Sequence, residues 1–164
     1  MKHTISVLVE NHPGVLARVS GLFSARGFNI DSLAVGETED PTVSRMTIVV
    51  EGDERTLEQV KKQLNKLIDV ITIQDLTQKD FLDRELILIK VKVTPKDRAQ
   101  IIEIAETLKA NIADVGMHTI TIEGIGESAK IDTMIELLKP FGIKEIVRTG
   151  RIAMAKDSKV EGEK

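Results

Sequence analysis

One order of predicted secondary structure elements occurs twice along the chain, and this repeat restricts the possible folds more than any other sequence feature. Alternating apolar residues predict strands, most clearly at residues 43–51 and 86–93, and apolar residues three or four apart predict helices. Each half of the chain gives strand, helix, strand, strand, helix, strand. That order is typical of a ferredoxin-like βαββαβ domain. The sequence therefore predicts an α+β protein with two tandem ferredoxin-like domains.

The predicted domain boundaries follow from changes in composition along the 164 residues. The first domain is assigned to residues 1–77 and the second to residues 86–155, with a polar linker at residues 78–85. Residues 156–164 carry few apolar side chains that a core could bury, so they are predicted to form a flexible tail.

Composition excludes several classes of function. The sequence has no cysteine, so disulfides, zinc–thiolate sites and thiol nucleophiles are ruled out. A net charge of −3 gives no basis for binding to nucleic acid or to an anionic membrane. No apolar run has the length of a membrane span. We therefore expect a cytoplasmic protein with neither a nucleic-acid partner nor a membrane partner.

The sequence shows no arrangement typical of a catalytic or metal site. Its three histidines, His3, His12 and His118, lack partners at metal-ligand spacing, so we expect surface histidines and no bound metal. No serine lies in a nucleophile-elbow motif. Most carboxylates are mixed with lysines beside predicted helices, a pattern typical of solvent-exposed faces. We expect no catalytic residue on this chain.

One glycine-rich motif needs separate consideration. Residues 124–129 fit the pattern G-x-G-x-x-A between a strand and a helix, as in dinucleotide-binding folds. Glu127 would lie at the helix N-terminus and repel a pyrophosphate, and Glu123 belongs to an alternating strand rather than a fully buried parallel one. We interpret the motif as the capped start of a helix.

The loop between the first strand and the first helix is the strongest candidate for a binding site. Pro13 has a φ suited to the first helical turn, and Gly14 removes the side chain beside the free N–H groups of the helix start. Gly27, after Arg26, is the predicted C-cap of the same helix. The helix start favours a small anion, although a plain turn is the competing interpretation.

A free amino acid matches the chemistry of this loop. Its carboxylate would bind the helix N-terminus, and its ammonium would bind the Asn11 side chain. Walls of valine, leucine and isoleucine suit a short aliphatic side chain. Asn29 opens the next predicted strand and is expected at the sheet edge near the loop.

The residues of this loop also resemble a known family. Residues 11–16 are similar to the ligand loop of an ACT domain. The longer stretch of residues 6–30, together with residues 40–48 and 57–67, resembles the small regulatory subunits of acetohydroxyacid (acetolactate) synthases. Residues 84–90 resemble the first strand of the second domain in that family.

The resemblance implies a non-catalytic partner of a large catalytic subunit, which would carry thiamine diphosphate, Mg²⁺ and FAD. It implies that the chain activates that subunit in branched-chain amino-acid biosynthesis and confers feedback inhibition by valine or another branched-chain amino acid. It also implies a homodimer formed through the ACT domains, with the effector bound at the interface. The implied effector-binding residues are Asn11, His12, Pro13, Gly14, Val15 and Leu16 of one chain with Asn29 and Ile30 of its neighbour.

Two points in this implied scheme remain open. The role of His12 is one of them, because this position varies in the loop of the family. The second domain is the other: it has Thr94 and Pro95 where the first has its loop, and it lacks the glycine. We therefore expect one effector-binding domain, with the second domain serving assembly or contact with the large subunit.

Two alternative functions fit the same fold. The first is a stand-alone amino-acid sensor that regulates another enzyme or a transcription factor. The second is a small enzyme. Regulation through DNA would require a recognition helix with a basic face, and an enzyme would require a convergent acid/base pair. The sequence shows neither.

Overall fold

The computed structural model describes residues 1–157 and divides them into two units. The first unit comprises Met1–Leu82 together with the described residues from Arg151 onward, and the second comprises Asp83–Gly150. Residues 158–164, which make up most of the predicted tail, lie outside the described residues.

The first unit is an antiparallel sheet with two helices. Its elements, in chain order, are β1 (Lys2–Glu10), α1 (Val15–Ala25), β2 (Asn29–Glu37), β3 (Val43–Glu51), α2 (Glu54–Asn65) and β4 (Val70–Asp75). The sheet order β2-β3-β1-β4 leaves β2 and β4 at the edges of this four-stranded sheet. The core-facing side of β1 packs with both helices in one apolar cluster, which includes Ile5, Val7, Val9, Val19, Phe23, Leu57 and Val60.

The second unit repeats this topology. Its elements are β5 (Phe81–Lys92), α3 (Arg98–Thr107), β6 (Asn111–Val115), β7 (Thr119–Gly126), α4 (Ser128–Leu138) and β8 (Ile143–Arg148), with a 3-10 turn at Lys139–Phe141. The sheet order β6-β7-β5-β8 is the order of the first unit, strand for strand. The predicted pair of ferredoxin-like domains is therefore confirmed. None of the described helices is both long enough and apolar enough to cross a membrane.

The segments that flank the second unit differ from the sequence-based expectation. The strand β5 begins at Phe81, so only the first part of the predicted linker at residues 78–85 is irregular. A short strand that was not predicted, β9 (Ile152–Ala155), belongs to the first unit. Four residues are too few for an alternating pattern to stand out, which explains why β9 was missed.

Helix α1 ends next to Gly27, as predicted, but the C-cap residue is Arg26 and Gly27 is the residue that follows it. Gly27 has a φ of +78°, and its N–H donates to the Ser24 carbonyl while the Phe28 N–H donates to the Phe23 carbonyl. These two bonds define a Schellman motif, in which an apolar contact commonly joins the two flanking positions. Here that contact is made by the rings of Phe23 and Phe28, whose centroids are 6.2 Å apart in an edge-to-face arrangement.

His3 is not the surface residue that the sequence predicted. It lies on β1 two residues before Ile5 and therefore on the same side of the strand, and it is 2% exposed. Its Nε2 is 3.2 Å from the carbonyl oxygen of Gly52, so the buried ring has a polar partner. The expectation was wrong because the first strand begins at Lys2 and already carries the core-facing alternation at His3.

The glycines of the 124–129 motif belong to an antiparallel strand. Gly124 lies in β7, which is antiparallel to β5, so the motif is not part of a parallel dinucleotide-binding sheet. A Cβ at Gly124 would lie 2.5 Å from Met134 Sδ, and the glycine therefore allows close packing of α4 on the strand. The predicted capped start is wrong in one respect, because Glu127 makes no side-chain cap hydrogen bond in the described structure.

Candidate functional site

Helix α1 begins after a glycine in the left-handed region of backbone space. Gly14 is the N-cap residue, with φ +88° and ψ −10°, a conformation that favours glycine. A Cβ built at Gly14 would meet no heavy atom within 4 Å, so the space beside the helix start is open. The helix begins at Val15, so Pro13 lies before the helix. The prediction that Pro13 belongs to the first helical turn was wrong.

The first turn of α1 offers backbone N–H groups that have no acceptor within the helix. The first backbone bond at this end joins the Arg18 N–H to the Gly14 carbonyl at 3.1 Å, so the N–H groups of Val15, Leu16 and Ala17 precede it. In the described structure no side chain caps these groups, and the first turn contains no acidic residue. The helix start can therefore attract a small anion.

Asn11 is fixed against the loop between β2 and β3. Its Nδ2 donates to Glu37 Oε1 at 3.2 Å and to the Pro41 carbonyl at 3.0 Å. Its backbone N–H donates to the Thr42 carbonyl at 2.7 Å. Both side-chain bonds use the nitrogen, so Oδ1 has no partner among the described residues and can accept a hydrogen bond from an ammonium group.

His12 belongs to a charged cluster that the sequence did not reveal. Its Nε2 is 2.8 Å from Asp69 Oδ1 and 3.3 Å from Glu10 Oε2. Asp69 is 6% exposed and also pairs with Arg18 of α1. The cluster joins the loop, the helix and the segment before β4. Sequence reasoning missed Asp69 because it is distant from His12 along the chain and follows no motif.

The same cluster contains a possible set of metal donors. Glu10, His12 and Asp69 each present one donor atom, and these atoms lie within 4.8 Å of one another. Imidazole with carboxylates suits several divalent metals. The guanidinium of Arg18, however, already supplies a positive charge to Asp69. The arrangement is therefore that of an ion-pair cluster that fixes the loop.

Three further residues predicted for the site differ in what they can offer a ligand. Val15 is 3% exposed and faces the core, so only its backbone can contact a ligand. Leu16 is 44% exposed, and its side chain provides an apolar surface beside Gly14. Pro13 is exposed in the loop.

Asn29 and Ile30 lie far from the loop within one chain. They begin β2, whereas Asn11 contacts Glu37 at the other end of this strand. The length of β2 separates the two positions by roughly 26 Å. The Asn29 side chain is exposed and donates to Asp31 Oδ1 at 2.7 Å. A single chain therefore does not bring these two residues together with the loop.

Comparison with known proteins gives matches over both units. A family model described as the AHAS small subunit-like ACT domain matches residues 5–72, and one described as the small subunit of acetolactate synthase matches residues 84–157. An Archaeoglobus fulgidus protein named "Probable acetolactate synthase small subunit" is 52% identical over 159 residues, which cover 97% of this chain and 99% of that protein. The acetolactate synthase small subunit of Mycobacterium leprae is 51% identical over 154 residues, which cover 94% of this chain and 91% of that protein.

A solved structure extends this similarity to three dimensions. The crystal structure of the acetolactate synthase small subunit from Thermotoga maritima aligns with a TM-score of 0.88 at 39% sequence identity. The alignment covers 96% of this chain and 99% of that protein. The sequence and structure comparisons thus agree over nearly the full length.

Proposed function

The chain belongs to the family of acetolactate synthase small subunits, and on this premise we propose that it is the regulatory partner of a catalytic acetolactate synthase subunit. In this proposal it activates the catalytic subunit in branched-chain amino-acid biosynthesis and carries no reaction chemistry itself. The thiamine diphosphate, Mg²⁺ and FAD of the reaction belong to the catalytic subunit. Feedback inhibition by a branched-chain amino acid acts through this chain.

The loop before α1 is the proposed effector site, and the observation that carries this assignment is the conformation of Gly14. The residue leaves open space beside the N–H groups of the first helical turn. A carboxylate placed there would accept hydrogen bonds from those groups and gain from the helix dipole. The α-carboxylate of an amino acid is such a group.

The surroundings of Gly14 favour an aliphatic amino acid. The free Oδ1 of Asn11, whose amide nitrogen is held by Glu37, can accept a hydrogen bond from the ammonium group. Leu16 presents an exposed apolar side chain on the same turn. A short branched side chain such as that of valine matches this apolar surface.

A dimer would complete the site. The strand β2 is an edge strand, so its outer backbone groups can pair with another chain. Antiparallel pairing of β2 with its copy in a second chain, about a two-fold axis, would set Asn29 of one chain opposite Glu37 of the other. Because Asn11 contacts Glu37, this pairing brings Asn29 and Ile30 of the second chain to the loop.

Regulation in this proposal is a shift between two arrangements of the dimer. An effector that binds one arrangement more tightly moves the population toward it, and the catalytic subunit responds because it prefers the other. A coupling free energy of about 1–3 kcal/mol corresponds to roughly 5- to 150-fold changes in mutual affinity. Tighter binding of valine would thus accompany weaker binding of the catalytic subunit.

Calorimetric titration with valine tests the site. We expect saturable binding to the wild-type chain and at least tenfold weaker binding to Gly14→Asp and Asn29→His. The aspartate would place bulk and a negative charge at the helix N-terminus, and the histidine would place bulk where the dimer brings Asn29. Gly21→Asp is the matched control, since Gly21 is exposed on α1 with nothing within 4 Å of its built Cβ.

Acetolactate formation by the catalytic subunit provides the second readout. We expect the wild-type chain to raise this activity and valine to reverse the increase, with Gly14→Asp still activating but no longer responding to valine. Unchanged valine binding in both site variants would overturn the residue assignment. A catalytic subunit that neither binds the chain nor gains activity from it would overturn the regulatory proposal itself.

A further inference from the structure

The second unit can be aligned with the first through its backbone hydrogen bonds. Because the sheet orders match, β5 corresponds to β1 and β7 to β3. In the first unit the Asn11 N–H donates to the Thr42 carbonyl at 2.7 Å, and in the second the Val93 N–H donates to the His118 carbonyl at 2.9 Å. Val93 therefore occupies the position of Asn11, at the start of the effector loop.

A second pair of bonds extends the alignment to the other side of the loop. The Glu10 N–H donates to the Asp69 carbonyl, and the Lys92 N–H donates to the Gly142 carbonyl, both at 2.8 Å. Lys92 thus replaces Glu10, and a glycine replaces the buried Asp69. The corresponding corner of the second unit therefore has neither of the two carboxylates that the first unit has there.

A cavity of about 460 Å³ lies at this corner of the second unit. Its basic lining residues are Lys92, Lys144 and His118, and its apolar lining residues include Val93, Pro95 and Met117. Met117 is 82% exposed, although it is a large apolar side chain. The cavity therefore combines positive charge with an uncovered apolar wall, which is the usual composition of a small-molecule site.

Among the residues that the structure describes, no carboxylate forms an ion pair with either lysine of this cavity. Within residues 1–157, neither Lys92 nor Lys144 has an ion-pair partner, whereas Lys90 on the same strand pairs with Glu145 at 3.7 Å. The carboxylate of Asp97, which follows the loop, accepts the Thr94 N–H at 2.6 Å and does not line the cavity. No carboxylate of the described residues therefore occupies the two ammonium groups, and both can receive an anion.

We propose that this cavity binds a small molecule that carries a phosphate group and an apolar moiety. A phosphate monoester has about 1.5 to 2 negative charges at pH 7, which matches two lysines, whereas one carboxylate needs only one. His118 adds an imidazole N–H donor to the two ammonium groups. The apolar moiety contacts Pro95 and Met117. This site is separate from the effector loop and does not depend on the proposed function.

Titration of the full chain with phenyl phosphate tests the proposal, with benzoate as the singly charged analogue that keeps the ring. We expect saturable binding of phenyl phosphate, followed by calorimetry and by the NMR signal of His118. We expect about tenfold weaker binding to Lys92→Gln and to Lys144→Gln. Binding should weaken as salt rises, because the contact is ionic. Lys90→Gln is the matched control, since Lys90 lies outside the cavity lining.

Three results would overturn the proposal. Absence of phenyl phosphate binding, equal binding of benzoate, or equal loss in Lys90→Gln would each rule out a phosphate site here. Both cavity lysines are exposed, so unchanged urea unfolding of the variants shows that any loss is not a folding defect. Valine titration of the same variants keeps the two proposals apart, because valine binding should remain at the wild-type value.

Discussion

At the residue scale, Gly52 shows how the absence of one side chain fixes the packing of the first unit. A Cβ at Gly52 would lie 2.0 Å from Cε1 of Phe28. The Phe28 ring is 7% exposed and is held by the Schellman motif and by its contact with Phe23. The ring therefore has little room to move away.

Replacing Gly52 with alanine should lower the free energy of unfolding by about 1–3 kcal/mol, the usual range for overpacking a core. Urea unfolding followed by circular dichroism measures this change. Gly21→Ala is a control with the opposite sign, expected to stabilise by about 0.5–1 kcal/mol, because Gly21 is exposed within α1 and has open space. Equal stability of Gly52→Ala and wild type would show that Phe28 is not confined.

The residues of the candidate site were predictable where local chemistry defines them. The turn-forming cluster and Gly14 identify the loop, because a left-handed residue before a helix is a local requirement. The cluster of His12, Asp69 and Arg18 was not predictable, since it depends on the tertiary packing of distant segments. The position of Asn29 relative to the loop also needed the strand register.

At the element scale, Asp75 connects the end of β4 to α2. Its Oδ2 is 3.2 Å from Lys61 Nζ, and its Oδ1 accepts the Thr77 N–H at 3.0 Å. Burial raises the pKa of the Asp75 carboxyl, but hydrogen bonds from Thr77 and Lys61 outweigh burial and leave this pKa below its usual value. Burial lowers the pKa of Lys61, and its bonds to Glu58 and Asp75 raise it further than burial lowers it.

The sign of the Asp75 shift predicts an acid-dependent loss of stability. Because the folded-state pKa is lowered, the stabilisation is fully present above the unfolded carboxyl pKa of about 3.9 and is lost as the pH falls through the folded value. Asp75→Asn should therefore be less stable than wild type at pH 7, with a difference that shrinks toward pH 3. The raised pKa of Lys61 keeps this lysine charged across that range.

Urea unfolding at several pH values between 7 and 3 checks the Asp75 prediction. Glu39→Gln is the control, because Glu39 is exposed in the same unit and has no ion pair within the described residues. It should follow the wild-type pH dependence. A constant difference between Asp75→Asn and wild type at every pH would show that the carboxylate charge contributes nothing.

The order of elements was predictable because hydrophobic periodicity is a local signal, and both strong strand patterns correspond to strands of the structure. The start of β5 at Phe81 was not predictable, since charged residues interrupt the alternating pattern before Leu86. The strand β9 needs a partner strand to form at all. Its existence is a property of the folded chain rather than of its four residues.

At the scale of the whole molecule, the first unit is built from two separate stretches of chain. The Arg151 N–H donates to Ser32 Oγ at 2.8 Å, and its guanidinium donates to Thr4 Oγ1 at 3.4 Å. Ala153 on β9 is 8% exposed and lines a cavity of about 240 Å³ with Ser6 of β1. The segment thus covers the face of the sheet that is opposite the helices.

In a chain that ends at Gly150, the free energy of unfolding of the first unit should be lower by about 1–3 kcal/mol, because two hydrogen bonds of Arg151 are lost at about 0.5–1.5 kcal/mol each. This chain should also bind more of the dye ANS, because apolar and backbone groups beside β1 become exposed. A chain that ends at Asp157 is the control, because it is also shortened but keeps Arg151 and β9. Identical unfolding of the two shortened chains would show that β9 does not support the first unit.

This discontinuity has a consequence for biosynthesis. A ribosome synthesises the whole of the second unit before it synthesises Arg151 and β9. The first unit, which begins to fold earliest, is therefore completed after the second. Domains made first usually fold first during translation. Here a nascent chain arrested anywhere within the second unit leaves its earlier sheet with one face uncovered, and such arrested fragments become recognisable to chaperones and proteases.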